Sequence, residues 1–501
     1  MHETHLRQFH TERWLMLFLA THLILWTLIP FLIRHNLPLD AIEGTIWGHQ
    51  LEWGYDKNPY LNGWLTALAT LFDKQSGLMI YLFSQLSVIT CFLAIWQLAK
   101  KMLTKNDALI AVLLLENIQY FNFHAIDFND NTLELSLWAL SIYFFYQALR
   151  ETKSTLAWLL TGLFAGLGVM TKYYTLVLVA SLFLFLILHK ENRKHFFTLP
   201  PYLGLTVFLL VCLPHVVWLF SHDFITVRYM LERTSSNAPL SKHLANHFIF
   251  PAQFLSQQLQ VLLPVIIPCA LLFIGKKPLR SLNRINITSF HRLFLFYAAG
   301  MPLLLTLMLS LLFGITLRAG WGMPLLSTAG IIIMIILQPR LSPAKIIGLL
   351  VFTFTLLIAE ISGYSASLLY SSSSCSANFP GREIANHLTL LWHNTYHTRL
   401  EYVGGSRWVG GSIGYYSADH PAVFIELNEK ISPWINQQDM QKKGAMYVWE
   451  MSQWNDLNKE VKELFLQNKN LRILQFDWHR NQANLAPVKI GVLMIPPQTT
   501  G

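Results

Sequence analysis

Two carboxylates three residues apart, Asp40 and Glu43, precede the aromatics Trp47, Trp53 and Tyr55 and a short Asp56-Lys57-Asn58-Pro59 turn. Residues three apart share a face if the segment is helical, and Trp47 continues that face. A carboxylate partly withdrawn from water can take a proton from an incoming hydroxyl, and lysine is a compact cation suited to a phosphate. Together they supply the two groups needed for transfer from a phosphate-bearing lipid. Taken singly, the same residues are ordinary solvated loop charges and interfacial tryptophans. Their combination, followed by an amphipathic stretch from Leu61 to Phe72, is what points to chemistry.

Four later segments hold further candidates. His124-Ala-Ile-Asp127-Phe-Asn129-Asp130-Asn131-Thr132 gathers acids and amides that could hold a sugar or a cation, or orient the first loop. Asp130 or Asn131 equally suits the N-cap of a helix that follows. A divalent cation is compatible with this loop, but no ligand spacing demands one and no metal ligands can be named. Met170-Thr-Lys172-Tyr173-Tyr174 interrupts two apolar stretches. A lone lysine there commonly snorkels to the interface, yet the paired tyrosines add hydrogen-bonding and stacking groups fit for a substrate chamber. His222, Tyr229 and Arg233 follow Trp218, where an arginine fork serves a phosphate as well as it serves anchoring. Arg318-Ala-Gly-Trp321-Gly-Met-Pro324 opens another apolar stretch. The glycine pairs at 404–405 and 410–411 read as turn glycines. No GxxxxGK[ST], no GxGxxG opening a helix after a strand, no GxSxG and no HExxH occurs, which leaves nucleotide-binding and hydrolase readings without support.

These residues must be positioned by a membrane protein. Hydrophobic residues make up 53% of the chain and charged ones 13%, which is far from a soluble domain. Apolar stretches fall near 13–33, 78–99, 107–122, 131–149, 154–170, 174–189, 199–220, 255–275, 292–313, 320–337 and 345–366, predicting about 11 transmembrane helices. The first is long enough to remain as a span rather than be cleaved as a signal peptide. The formal net charge of +9 invites a nucleic-acid reading, but the basic residues are scattered between spans. Lys100, Lys101 and Lys105, then Lys190, Arg193 and Lys194, then Lys276 and Lys277 lie on alternate loops. Positive-inside topology explains that pattern, places the N-terminus in the cytoplasm and excludes nucleic acid as a partner. The Asp40–Pro59 loop and the C-terminus then lie outside.

Beyond about residue 370 the pattern becomes soluble-like. Tyr402–Gly405, His420–Ile425 and Gly444–Trp449 read as strands, and Arg382–Trp392 and Asn455–Leu466 as helices. The expected organisation is a transmembrane region, 1–370, and a small extracytoplasmic α/β domain, 371–501. Four cysteines without a CxxC indicate neither a zinc knuckle nor a disulfide framework.

The order Asp40, Trp47, Gly54-Tyr55, Pro59 resembles the first-loop signature of integral-membrane glycosyltransferases of the C-type (GT-C) fold. In particular it resembles the bacterial branch related to protein O-mannosyltransferases and the lipid A aminoarabinose transferase. Phe128-Asn-Asp130-Asn-Thr-Leu133, Gly166-Leu-Gly-Val-Met-Thr-Lys172-Tyr173, the run from Leu213-Pro214 through His222-Asp223-Phe224 to Arg233, and Trp321-Gly322 with Pro324 are similar to later landmarks of that group. The resemblance spans roughly residues 10–340. Here Ala41 follows Asp40 where many relatives have adjacent acids, and Asn58-Pro59-Tyr60 replaces the common His-Pro-Pro.

The resemblance implies a polyprenyl-phosphate-sugar donor used at the outer face of the cell inner membrane, with a lipid, glycan or protein as acceptor. Asp40 would be the catalytic carboxylate, with the base assignment open between Asp40 and Glu43, and Asp130 a helper acid. Lys57 and Arg233 would face the donor phosphate, with Lys172 beside them. Trp47, Tyr55, Asn58, Tyr173, His222 and Trp321 would line the substrate chamber. The rival reading is a multispan transporter or lipid flippase. Few charges inside the spans, no visible inverted repeat and the appended domain count against it.

Overall fold

The computed structural model describes residues 10–150, 154–234, 240–273, 287–370, 373–456, 462–463, 465, 471–480 and 485–498. Among the described residues, sixteen α-helices precede the C-terminal unit. They are α1 Thr11–Ile33, α2 Leu39–Gln50, α3 Leu61–Phe72, α4 Leu78–Ala99, α5 Lys105–Leu115, α6 Asp130–Arg150, α7 Thr155–Thr171, α8 Thr175–Leu188, α9 Pro200–Ser221, α10 Ile225–Thr234, α11 Leu240–Leu262, α12 Ile266–Leu271, α13 Ser289–Leu295, α14 Met301–Phe313, α15 Ala329–Leu337 and α16 Pro343–Leu369. Exposed side chains on α9, Leu205, Leu209, Leu213, Val217 and Phe220 among them, form an apolar face that lipid covers at no cost.

Among the described residues, six helical stretches are long and apolar enough to cross a bilayer, and eight if two bent pairs each count as one span. The expected count of eleven is not reached on length and composition. α7, with 17 residues, stands at the lower edge of the usual spanning length, and α8, with 14, extends roughly 21 Å at 1.5 Å per residue, short of a hydrocarbon core of about 30 Å. The bends, 84° between 105–115 and 119–126 and 58° between 319–326 and 329–337, also divide stretches that read as continuous in sequence. The first has a visible cause at Glu116, where the helix ends. The Glu116 carboxylate lies 2.8 Å from His22 Nδ1, both fully buried, and its backbone carbonyl accepts from Asn122 Nδ2 at 2.8 Å. Glu134, within α6, accepts from Thr175 Oγ1 at 2.9 Å. Both acids face protein rather than lipid, as polar groups at membrane depth must. α7 and α9 approach backbone to backbone: a Cβ on Gly162 would stand 1.9 Å from the Gly204 carbonyl, the close packing that small residues permit between membrane helices.

The C-terminal unit comprises α17 Gly381–Tyr396, β1 Tyr402–Gly405, α18 Val409–Tyr416, β2 Ala422–Ile425, α19 Gln437–Lys443, β3 Ala445–Glu450, β4 Arg472–Phe476 and β5 Val488–Ile495. Its mixed sheet has the order β2-β1-β3-β5-β4, with β1 parallel to β2 and β3, and β5 antiparallel to β3 and β4. The three strands expected from sequence are present with ends shifted by up to two residues, and the helix at Arg382 is longer than expected. The helix expected at Asn455–Leu466 lies largely outside the described residues. β4 and β5 are additions to the expected strands, although the apolar run of β5 between Pro487 and Pro496 is visible in the sequence.

Gly410 and Gly411 are not turn glycines. They lie inside α18, and Gly404 and Gly405 inside β1. The reason is proximity: a Cβ on Gly411 would sit 2.7 Å from Ile42 Cγ2. Through this contact α18 lies on α2, and one apolar cluster runs from Ala41, Ile42 and Ile46 into Ile384, Val403 and Ile413. On its other side α2 packs on α3, where a Cβ on Gly48 would meet the Gly63 carbonyl at 2.8 Å. The helix bearing Asp40 and Glu43 is thus clamped between the membrane region and the C-terminal domain.

Candidate active site

α2 starts after Pro38 with no side-chain cap of its own. Its exposed N-terminus is satisfied from a distant loop, because the Ala41 N–H donates to Asp127 Oδ1 at 3.0 Å, an N-cap supplied in trans. Asn129, two residues on, caps α6 by accepting from the Thr132 N–H at 3.1 Å and donates Nδ2 to Asp40 Oδ2 at 3.0 Å. The cap of α6 is therefore Asn129 rather than Asp130 or Asn131, and the second loop both starts its helix and orients the first.

These elements border a cavity of about 770 Å³. Of the twelve site residues expected from sequence, ten line it: Asp40, Glu43, Asp130, Lys57, Lys172, Arg233, Trp47, Asn58, Tyr173 and Trp321. Two do not. Tyr55 is fully buried; it stacks on Trp47 with centroids 5.2 Å apart and donates its hydroxyl to the Trp47 carbonyl at 2.8 Å, so it backs the chamber wall instead of facing in. His222 sits at the C-cap of α9, where the ring folds onto Trp218 at 4.0 Å and Nδ1 lies 2.9 Å from the Trp218 carbonyl. The helix end holds it away from the chamber.

Asp40 and Glu43 differ sharply in surroundings. Glu43 is 7% exposed and its Oε1 is 2.6 Å from both Lys57 Nζ and Arg407 Nη1. Asp40 is exposed to the cavity and has Asn129 as its neutral partner. Although open to the cavity, it is crowded by the walls that hold back bulk water. That desolvation, and then the charge of Glu43, push its carboxyl above the ordinary range. Asp130 accepts from Asn58 Nδ2 at 2.6 Å.

Arg407 is a partner of the site's acids that local sequence patterns miss. It comes from the segment between β1 and α18, bridges Glu43 and Asp56, and is 15% exposed, with Asp56 4% exposed. Burial pushes Asp56 above the usual carboxylate range, against the pull of Arg407. The only sequence sign is a lone arginine among glycines in a soluble-like stretch, which says nothing about a partner more than three hundred residues away.

Cations and aromatics line the rest. Lys172 Nζ donates to Asn131 Oδ1 and stands 5.5 Å over the Trp321 ring. Lys57 and Arg233 share the Tyr229 ring, at 5.9 and 5.7 Å. Arg318 and Asn62 also line the cavity, and the buried Asn62 amide has no hydrogen-bond partner among the described residues. Leu176, Val177, Leu219, Met230, Leu309 and Ile315 complete an apolar portion of the wall.

Residues 57–218 match the family described as dolichyl-phosphate-mannose-protein mannosyltransferase. Lipopolysaccharide core galacturonosyltransferase RgtB of Rhizobium johnstonii is 25% identical over 226 residues, 44% of this chain and 46% of the relative. The chain thus spans about half the length of that curated relative. ArnT from Cupriavidus metallidurans in the apo state superposes over 96% of this chain and 98% of its own, with a TM-score of 0.63 at 13% identity. This is a GT-C fold. The same protein bound to undecaprenyl phosphate gives a TM-score of 0.61 at 14% identity. Within this GT-C fold, the matched family region begins at Lys57 and ends at Trp218, taking in the Asp130 and Lys172 segments of the cavity. Asp40 and Glu43 lie just before it, and Arg233, Trp321 and Arg407 beyond it.

Proposed function

We propose that the chain is a membrane glycosyltransferase that moves a sugar from a polyprenyl-phosphate donor to a lipid, glycan or protein acceptor at the outer face of the cell inner membrane. The observation that carries this reading is one cavity holding an uncommitted carboxylate, Asp40, together with Lys57, Lys172, Arg233 and an apolar wall. A phosphate on an isoprenoid chain needs both cation and apolar surface, and the solved structure of ArnT with undecaprenyl phosphate supports such an occupant. The cavity and the C-terminal domain share α2, so they face the same side. That agrees with a multi-pass region over 1–370 and an extracytoplasmic unit over 371–501.

In this reading Asp40 takes the proton from the acceptor hydroxyl. The hydroxyl oxygen attacks the anomeric carbon, the bond from that carbon to the phosphate oxygen breaks with inversion, and polyprenyl phosphate leaves. Lys172 and Arg233, held by an amide and by aromatic faces rather than by carboxylates, stabilise the charge that grows on the departing phosphate. Glu43 is already committed to two cations, so the base is Asp40, and Glu43 sets the position of Lys57. Asp130, Asn58 and Trp47 shape the sugar pocket.

Two outcomes test this. Lys172→Met and Arg233→Met should each weaken binding of undecaprenyl phosphate to the purified protein by roughly ten- to a hundredfold, as loss of a charge-assisted contact does. Binding unchanged in both would remove the phosphate site from the cavity. Glu43→Gln removes a negative neighbour and releases Lys57, and both changes lower the Asp40 pKa. Asp40 must be ionised to act, so the acidic limb of the kcat/KM–pH profile should move to lower pH. A shift to higher pH, or none, would assign the base elsewhere.

A further inference from the structure

The turn between α1 and α2 meets the C-terminal domain at three side chains of metal-ligating type that the cavity does not use. His35 Nε2 lies 2.6 Å from Glu383 Oε1. The His35 and His479 rings stack with centroids 3.7 Å apart and 7° between their planes. One ligand atom from each of the three falls within 4.8 Å of the others. The residues come from distant parts of the chain, yet their backbones are fixed to one place. The His35 N–H donates to the Ala377 carbonyl at 2.8 Å and the His479 N–H to the Asn378 carbonyl at 3.0 Å, while Glu383 stands in the first turn of α17. None of the three lines the 770 Å³ cavity.

We propose that His35, Glu383 and His479 bind a divalent transition-metal ion of the zinc class that fastens the C-terminal domain to the turn leading into α2. Two imidazoles and a carboxylate form a donor set that favours zinc and its neighbours over magnesium or calcium, and it leaves a fourth position for water. Stacked rings point their nitrogen lone pairs along parallel planes, so the rings must tilt for both nitrogens to reach one ion at about 2.0–2.1 Å. His35 is half-buried and the Glu383 side chain is 49% exposed, which leaves room for that movement. Two arginines border the cluster, and both are engaged with oxygen acceptors: Arg34 with Tyr364 and Ser376, Arg480 with the Ile33 carbonyl. Glu383 supplies the charge that offsets them. The ion would tie the same turn whose Leu37 N–H already donates to the Tyr416 hydroxyl at 2.9 Å.

The test uses the full chain purified in detergent without a polyhistidine tag, stripped with EDTA and reloaded with zinc alone. Elemental analysis after gel filtration should find one zinc per chain, and cobalt(II) in its place should give the visible absorption of a four-coordinate nitrogen–oxygen site. His479→Gln and Glu383→Gln should each weaken zinc binding by about 100-fold or more, at least as much as loss of an outer-shell partner does. Zinc should raise the midpoint of thermal unfolding in the native chain but not in His479→Gln. Asp40→Asn, which alters only the cavity, should keep full binding. No stoichiometric zinc on the native chain, or undiminished zinc on the double variant His35→Ala/His479→Ala, would overturn the proposal.

Discussion

Asp40→Asn is expected to yield a folded, membrane-inserted protein whose transfer rate has dropped by roughly 10²–10⁴-fold, the usual worth of a positioned general base. The substitution keeps size and shape, and the Asp40 side chain is exposed to the cavity and hydrogen-bonded to a neutral amide. No buried charge therefore loses a partner, so expression and thermal unfolding should match the native chain. The amide can still meet Asn129 after a side-chain flip, but it cannot accept a proton. Donor-lipid binding should persist, because the phosphate-facing cations are untouched. Steady-state transfer and lipid binding measured on the same preparation separate the two effects. Native-level turnover would show that Asp40 is not the base.

The second large effect is expected at Arg407. Its guanidinium touches two nearly buried carboxylates, Glu43 and Asp56. Removing one partner of a buried ion pair costs of order 3–5 kcal/mol, because the remaining charge is left uncompensated. Arg407→Ala should therefore lower the unfolding temperature in detergent and reduce transfer more than tenfold, since Lys57 would be drawn towards both acids. Arg407→Lys should recover only part of each loss, because one ammonium cannot span both acids as a planar fork does. Pairing Arg407→Met with Asp56→Asn should restore much of the stability that Arg407→Met alone loses, since Asp56 is the acid left without a partner while Glu43 keeps Lys57. An Arg407→Ala protein as stable and active as the native chain would mean the bridge does not position the site.

Much of this site is legible in the sequence because it rests on local spacing. Asp40, Glu43 and Trp47 sit at helical intervals in one short segment, and Asn58 and Lys57 in one tight turn. A helix and a turn can each be read from their own residues. Tyr55 and His222 are misplaced by the same reasoning: spacing shows that a residue lies near a loop, not which way its side chain points. Tyr55 turns inward because its ring and hydroxyl both find Trp47. His222 folds back because α9 ends there and leaves a carbonyl to satisfy. The expected span count and the helices part ways where a helix ends at an acid, Glu116, and where the apolar stretches form the shorter helices α7 and α8.

Long-range pairings leave no local trace. Arg407 reaches Glu43 across 364 positions, and Asp127 caps α2 across 86. The glycines of α18 read as a turn because the sequence does not show what Gly411 must approach, which is Ile42 on α2. All three pairings concern how the α2 region is held, so what sequence hides is mainly the support of the site rather than the residues facing the cavity.

The central claim is tested most directly in proteoliposomes holding the purified chain, a radiolabelled polyprenyl-phosphate sugar and a cell-envelope acceptor fraction. Label should pass to a new acceptor with the native chain and stay on the donor with Asp40→Asn. Label that crosses the bilayer still attached to its carrier, or that passes to the acceptor equally well without the Asp40 carboxylate, would contradict the account.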